Sequence, residues 1–276
     1  MTHLMRIFRR AIKFAKAAKS PRSFETYDKC LDYCIKRSPD AYESKLLCAY
    51  RFEKLQHLLK ERGVDALFSN PLVKGLQHAI LLHNKYIPDN KIRMIDFGGG
   101  CGESMLYLKS ILGPEDIDGF IIESEEHAKQ SRNWAMTDRL KYSSRLDEIL
   151  ESQDSTLFFT SGAIQYLENP YTPLIKAIKS EVPIISLSRN NFSKSERVIA
   201  QHTKLSAHGI GDHFTNTHDA SIYIPNTPLN LSKVECLFSE GEYRCVLKNL
   251  DSLSGVYGES NYGGDLAFVH TKYIIK

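Results

Sequence analysis

The residues best placed for chemistry stand in one short run, Asp96-Phe97-Gly98-Gly99-Gly100-Cys101-Gly102, with glycine at 98, 100 and 102 after the acid. Glycines let a backbone approach a ligand that side chains would hold off, and a helix that starts straight after them offers unpaired N–H groups. Binding of a nucleotide-type molecule suits this arrangement. The spacing narrows the choice: a GxGxxG dinucleotide fingerprint begun at Gly98 or Gly100 needs glycine at 103 or 105, where Glu103 and Met105 stand, and begun at Gly99 it fails at Cys101. A second acid, Glu123, closes the apolar run Phe120-Ile121-Ile122, and a carboxylate at a strand's carboxyl edge can accept both hydroxyls of a ribose. Ser161 and Gly162 follow a later apolar run and join the candidate binding set, while Gln165, Tyr166, Arg189 and Gln201 offer donors to a substrate. Histidine titrates near neutrality, so His202, His208 and His213 are candidate general bases. With His218 they match no familiar ligand spacing, and no metal is expected.

The elements that must position these residues alternate in type. Ile92 to Phe97 has strand length, and Glu103 to Leu112 turns helical before Gly113-Pro114. Ile117 to Glu123 reads as a strand, Glu125 through Trp134 as a helix, and Leu140 to Ser144 as a third strand. Ser155 to Thr160 and Val182 to Ser188 supply a fourth and fifth, separated by a helix over Tyr171 to Lys179. Strands alternating with helices predict a doubly wound α/β fold with a mostly parallel sheet. Residues 189–230 show little apolar periodicity and read as a substrate or lid segment. A helix over Leu231 to Ser239 and strands near Tyr243 to Leu247 and Leu266 to Val269 end the chain.

Composition sets broad bounds. The 276 residues are 42% hydrophobic and 25% charged with a formal charge of +3, which excludes global disorder. Six separated cysteines without a CxxC pair fit a reducing cytoplasm, and no apolar run approaches the roughly 20 residues of a spanning helix. The charge is uneven: residues 1–62 hold 15 Lys or Arg against 7 Asp or Glu. Residues 1–22 contain no acid and place Leu4, Phe8, Ala11, Ile12 and Ala15 at helical spacing, a basic amphipathic helix. Two readings of it stay open, packing on its own domain or peripheral contact of residues 1–19 with an anionic membrane surface at the inner face of the membrane. Residues 23–90 read as a helical lead-in, and 91–276 as the binding domain.

Taken together, IDFGGGCGES near residue 95, TSGAIQYLENPY near 160 and ISLSRNNF near 185 resemble a family of bacterial class I S-adenosylmethionine-dependent methyltransferases found among genes for cell-surface polysaccharides. The Asp96-x-Gly98-x-Gly100-x-Gly102 pattern is similar to motif I of that class. The resemblance implies a Rossmann-like sheet closed by a C-terminal antiparallel hairpin, S-adenosyl-L-methionine bound by Asp96, Gly98, Gly99, Gly100, Gly102, Glu123, Ser161 and Gly162, and a small-molecule or glycan acceptor. Glu168-Asn169-Pro170 stands where amino-methylating nucleic-acid enzymes carry NPPY or DPPY, so no nucleic-acid partner is expected. Two other functions fit a related fold: an NAD-dependent oxidoreductase, and a non-catalytic membrane-surface or nucleic-acid binding protein on a vestigial domain.

Overall fold

The computed structural model describes residues 21–38, 45–68, 71–88, 91–134, 140–152, 154–194, 197–211, 219–252 and 261–274. The basic helix expected over residues 1–22 therefore lies, apart from its last two residues, outside the described residues, as do His213 and His218.

The centre is β2 (Ile92–Phe97), parallel to β3 (Ile117–Ile122) on one side and to β5 (Leu157–Ser161) on the other. Outside β3 lies the two-residue β4 (Tyr142–Ser143), and outside β5 lies β6 (Ile184–Ser193), both parallel. The C-terminal β11 (Asn261–His270) pairs antiparallel with β6 and carries β10 (Tyr243–Ser252) as the antiparallel edge. The order β4-β3-β2-β5-β6-β11-β10 is the doubly wound, mostly parallel sheet that the sequence predicts, with β11 and β10 as its antiparallel strands. A short β9 (Leu229–Asn230) adds to the far end of β6.

Helices cover both faces because both faces of the central strands are apolar, the pattern of a buried parallel sheet. Along β2 and β5, Met94 and Phe159 point to one side and Ile95 and Phe158 to the other. The first side is covered by α2 (Lys45–Arg62), α3 (Pro71–Tyr86) and α4 (Glu103–Leu112), through Phe52, Leu76, Met105 and Leu108. The second is covered by α6 (Leu146–Ser152), α7 (Thr172–Lys179) and α8 (Leu231–Glu240), through Leu150, Leu174, Ala177, Val234 and Phe238. The connection from β3 to β4 is α5 (Glu125–Ser131). Among the described residues no helix is long and apolar enough to cross a membrane.

Two expectations are corrected. Arg22–Phe24, at the start of the supposed helical lead-in, is a strand, β1. The described part of residues 189–230 is largely strand: β6 runs on to Ser193, and Val198–Lys204 and Ser221–Asn226 form an antiparallel pair, β7 and β8. With β1 they make a second sheet in the order β1-β7-β8. The helix α1 (Tyr27–Ile35) packs on it, with Cys30 and Cys34 against Val198 and Ala200. The polar run Gln201-His202-Thr203-Lys204 hides the buried apolar residues Val198, Ile199, Ile222 and Ile224 that hold the pair together. Chain segments far apart in sequence thus form one cap.

Away from the cap, the start of α8 is fixed by the Asn230 side chain, whose Oδ1 accepts from the Lys233 N–H at 3.2 Å. Asn230→Ala is expected to cost about 1 kcal/mol and to lower the melting temperature by about 2–4 °C. A thermal melt read by circular dichroism checks this, and an unchanged midpoint would show the cap bond to be idle.

Candidate functional site

The glycine turn occupies the carboxyl end of β2, where the strand order reverses between β3 and β5. Gly98 has φ of 69°, and any β-carbon on it would collide with that of Ala163, in the loop after β5. The two loops that meet at the reversal point therefore touch at Gly98. Gly100 has φ of 59°, and a β-carbon there would stand 2.5 Å from Arg51 Nη2 and 3.1 Å from Glu103 Oε2. The Gly98 N–H donates to Ile122 O at 2.7 Å, tying the turn to the end of β3, and Gly102 begins α4.

Glu123 closes this arrangement. Its Oε1 accepts the Gly100 N–H at 2.9 Å and its Oε2 accepts the Ser124 N–H at 3.2 Å. The carboxylate is thus held across the crevice between the turn and the end of β3, with further lone pairs free by valence. Ser124 also caps α5, accepting the His127 N–H.

Asp96 ends β2 at 1% exposure, pressed under Gly99. Burial, reinforced by the neighbouring Glu103 and Glu123 charges and only partly offset by a hydrogen bond with Ser104, pushes its pKa up to about 8. Its Oδ2 is buried without a hydrogen-bond partner. Glu103 is buried beside it and is raised by burial, with Arg51 acting in the opposite direction. Arg51 comes from α2, whose Phe52 stacks on Trp134 at 5.9 Å and lies 4.9 Å from the His127 ring. Burial, then the Arg51 charge, hold His127 at about 4, so it is neutral at pH 7, with its Nε2 3.9 Å from Cys101 Sγ.

A cleft of about 790 Å³ opens from the turn. Phe97, Gly98, Ile122, Glu123 and Ser144 line its floor, and Tyr27, Leu31 and Ile35 of α1 with Tyr223 and Ile224 of β8 line the cap opposite. Ala163, Tyr166 and Leu167 join the two. The Tyr27 hydroxyl donates to Tyr166 O at 3.2 Å, and the Tyr166 hydroxyl to Gln201 Oε1 at 3.3 Å, which also accepts from Asn226 Nδ2 at 2.8 Å. That chain of bonds couples the cap to the sheet edge.

The sequence candidates separate on this geometry. Gly98, Gly99, Gly100, Gly102, Asp96 and Glu123 converge at the turn. Gly162 donates its N–H to Ser188 O at 2.8 Å at the end of β5, and the Ser161 Oγ beside it is buried without a partner. Tyr166 lines the cleft and Gln201 is half-buried behind it. Gln165, expected to touch a substrate, is 4% exposed and serves as a brace: its Oε1 accepts from the Asn191 N–H and its carbonyl from the Thr227 N–H. His202 is exposed on β7 of the cap, stacked on Tyr223 at 4.6 Å. His208 packs beside α2, where burial, then Arg51 and Lys54, hold it at about 4. A base so weak is poorly matched to proton removal at neutral pH.

The sequence alone does not single out Arg51, His127, Tyr27 or Tyr223, because each comes from an element whose packing partner lies elsewhere along the chain.

No protein-family model and no curated protein matches the sequence. Among solved structures the chain is similar to an S-adenosylmethionine-dependent methyltransferase from Clostridium acetobutylicum, at 11% identity over 79% of this chain and 98% of that one, TM-score 0.47. It is also similar to CalS10, an amino pentose methyltransferase from Micromonospora echinaspora, at 11% identity over 77% and 96%, TM-score 0.45. A third is the sugar N-methyltransferase KedS8 from Streptoalloteichus, at 11% over 78% and 92%, TM-score 0.44. At these values each is a likeness of chain path, and the fold class rests on the strand order of the protein itself.

Proposed function

We propose that the protein transfers a methyl group from S-adenosyl-L-methionine to an oxygen or nitrogen of a small molecule or glycan precursor, within cell-surface polysaccharide synthesis. The observation that carries this reading is the closure of Glu123 onto the Gly100 N–H at the point where the strand order reverses. An acid at the end of the second strand, facing a glycine turn at the end of the first, suits an adenosine ligand. A dinucleotide is less well suited, since Glu103 and Met105 fill α4's first turn where that fingerprint needs glycine.

The residues fit the ligand by charge and by vacancy of hydrogen bonding. Glu123 has acceptor capacity for two ribose hydroxyls. The orphaned Asp96 Oδ2 and the nearby Arg51 stand on either side of the turn where an amino-acid portion would pass. When bound, S-adenosylmethionine supplies a methyl already activated on a sulfonium, so the protein's task is mainly positioning and exclusion of water. The cap formed by α1 and β8 serves the second need, and the Tyr27–Tyr166–Gln201–Asn226 chain holds it in place.

Glu123→Ala is expected to weaken S-adenosylhomocysteine binding by about 1.5–3 kcal/mol, the scale of hydrogen bonds to a charged group. Calorimetry that returned wild-type affinity for this variant would place the carboxylate outside the ligand's reach. The activity itself is tested by incubating the protein with methyl-labelled cofactor and a panel of nucleotide sugars and lipid-linked glycans. Label appearing in one acceptor class supports the reading, and no transfer to any of them removes the glycan part of it.

A further inference from the structure

Arg189 stands out by backbone and by position. Among the described residues three non-glycine residues have positive φ, and two of them, Glu181 and Glu242, sit in turns. Arg189, with φ of 54°, lies inside a strand. It is the first residue of β6 past the end of β5, since Ser161 pairs with Ser188. It thus stands on the same sheet edge as the glycine turn and Glu123.

The strain there is built in. On the other side, the β11 register passes from Leu266 opposite Leu187 to Gly264 opposite Asn190, so Ser188 and Arg189 face Asp265 alone, a β-bulge of two residues against one. The Asp265 Oδ1 accepts both the Ser188 hydroxyl at 2.8 Å and the Arg189 N–H at 2.9 Å. A left-handed conformation is costly for a side chain with a β-carbon, and glycine would fill the position without that cost. The bulge re-aims the side chain: Nη2 lies 3.7 Å from where a β-carbon on Gly162 would be, folded back over the end of β5. Among the described residues no hydrogen bond or ion pair engages the guanidinium. The residue is exposed, so the guanidinium is open to a ligand.

We propose that Arg189 is an anion subsite for the acceptor, its guanidinium pairing with a carboxylate or phosphate of the molecule to be methylated where β5 ends. This rests on the methyl-transfer reading and adds to it the charge class of the substrate. A planar guanidinium presents a fork of donors that matches either oxyanion in two parallel bonds. Arg51, which lies against Gly100, is the nearer cation to the turn, leaving Arg189 for the second ligand. Gly162, over which the guanidinium folds, is followed directly by Ala163, which lines the cleft with Tyr166.

The test uses the full chain and two probes, inorganic phosphate and acetate, titrated with and without saturating S-adenosylhomocysteine. The arginine Nε–H signals are followed by NMR, Arg189 being assigned by its loss in Arg189→Gln. The expected result is a saturable shift of the Arg189 signal at millimolar concentrations of at least one probe, and the stronger probe names the acceptor's group. A flat response to both up to about 100 mM, with other arginine signals visible, overturns the proposal. So does a loss of S-adenosylhomocysteine affinity above tenfold in Arg189→Gln with 5′-methylthioadenosine binding intact, because the guanidinium would then hold the cofactor's own carboxylate. As a structural control, Arg189→Gly is expected to raise the melting temperature by about 2–4 °C by relieving the strain, and a marked fall would make the side chain a packing element. Should wild type bind no S-adenosylhomocysteine, the methyl-transfer reading fails, while the titration of the free protein still reads the anion site.

Discussion

Gly100→Ala is expected to weaken S-adenosylhomocysteine binding at least a hundredfold, by about 3 kcal/mol, while the protein stays folded. The residue is held at φ of 59°, so alanine carries a backbone cost of roughly 1–2 kcal/mol. The new methyl would stand 2.5 Å from Arg51 Nη2, the far end of a flexible side chain that can move aside. The fold therefore absorbs the change, but the ligand does not: its path over the turn narrows and the cation beside it is displaced. Valine at the same position adds β-branching in a left-handed conformation and would confuse loss of binding with loss of fold. Calorimetry paired with a thermal melt separates the two effects. Wild-type affinity in a folded Gly100→Ala protein would remove the glycine turn from the site.

Asp96→Asn is expected to stabilise the unliganded protein, increasingly so as pH rises. Asp96 has an ordinary pKa of 3.8 and a folded value of about 8, the raised direction set first by burial and then by Glu103. Below pH 3.8 the carboxyl is protonated in both folded and unfolded chains, and the aspartate costs nothing by ionisation. As pH rises from 3.8 towards 8 the unfolded chain releases the proton and the folded one keeps it, so stability is lost throughout that window. At pH 7 the loss is about 4 kcal/mol at 1.36 kcal/mol per pKa unit. Asparagine keeps the shape and has no proton to lose. Its advantage in denaturant melts should be near zero at pH 4 and largest near pH 8. A difference between the two proteins that does not change with pH would mean that Asp96 is ionised in the fold.

The central sheet and the turn were legible because their physics is local. Strands β2, β5 and β6 are buried on both faces and read as continuous apolar runs, and the glycine run sits directly after one of them. Glu123 could be named because a carboxylate closing an apolar strand has one place to be. The cap was not legible. β1 is three residues long, Arg-Ser-Phe, with no alternation to recognise, and its partner β7 begins only at Val198. The second half of β6 reads as a loop, because Arg189-Asn190-Asn191 is polar and is held in the sheet by β11. Gln165 looked like a substrate contact for the same reason that it is a good brace: an amide can both accept and donate. Arg51 sits on a helix with apolar residues on more than one face, so the sequence left its direction open until α2 was seen against the turn.

The most direct measurement is isothermal titration calorimetry of the wild-type protein with S-adenosylhomocysteine and, separately, with NADH. The expected result is saturable binding of S-adenosylhomocysteine at micromolar concentration with one site per chain and no binding of NADH. Absence of S-adenosylhomocysteine binding at millimolar concentration in a folded protein, or binding of NADH alone, would contradict the assignment of the glycine turn and Glu123 to this cofactor.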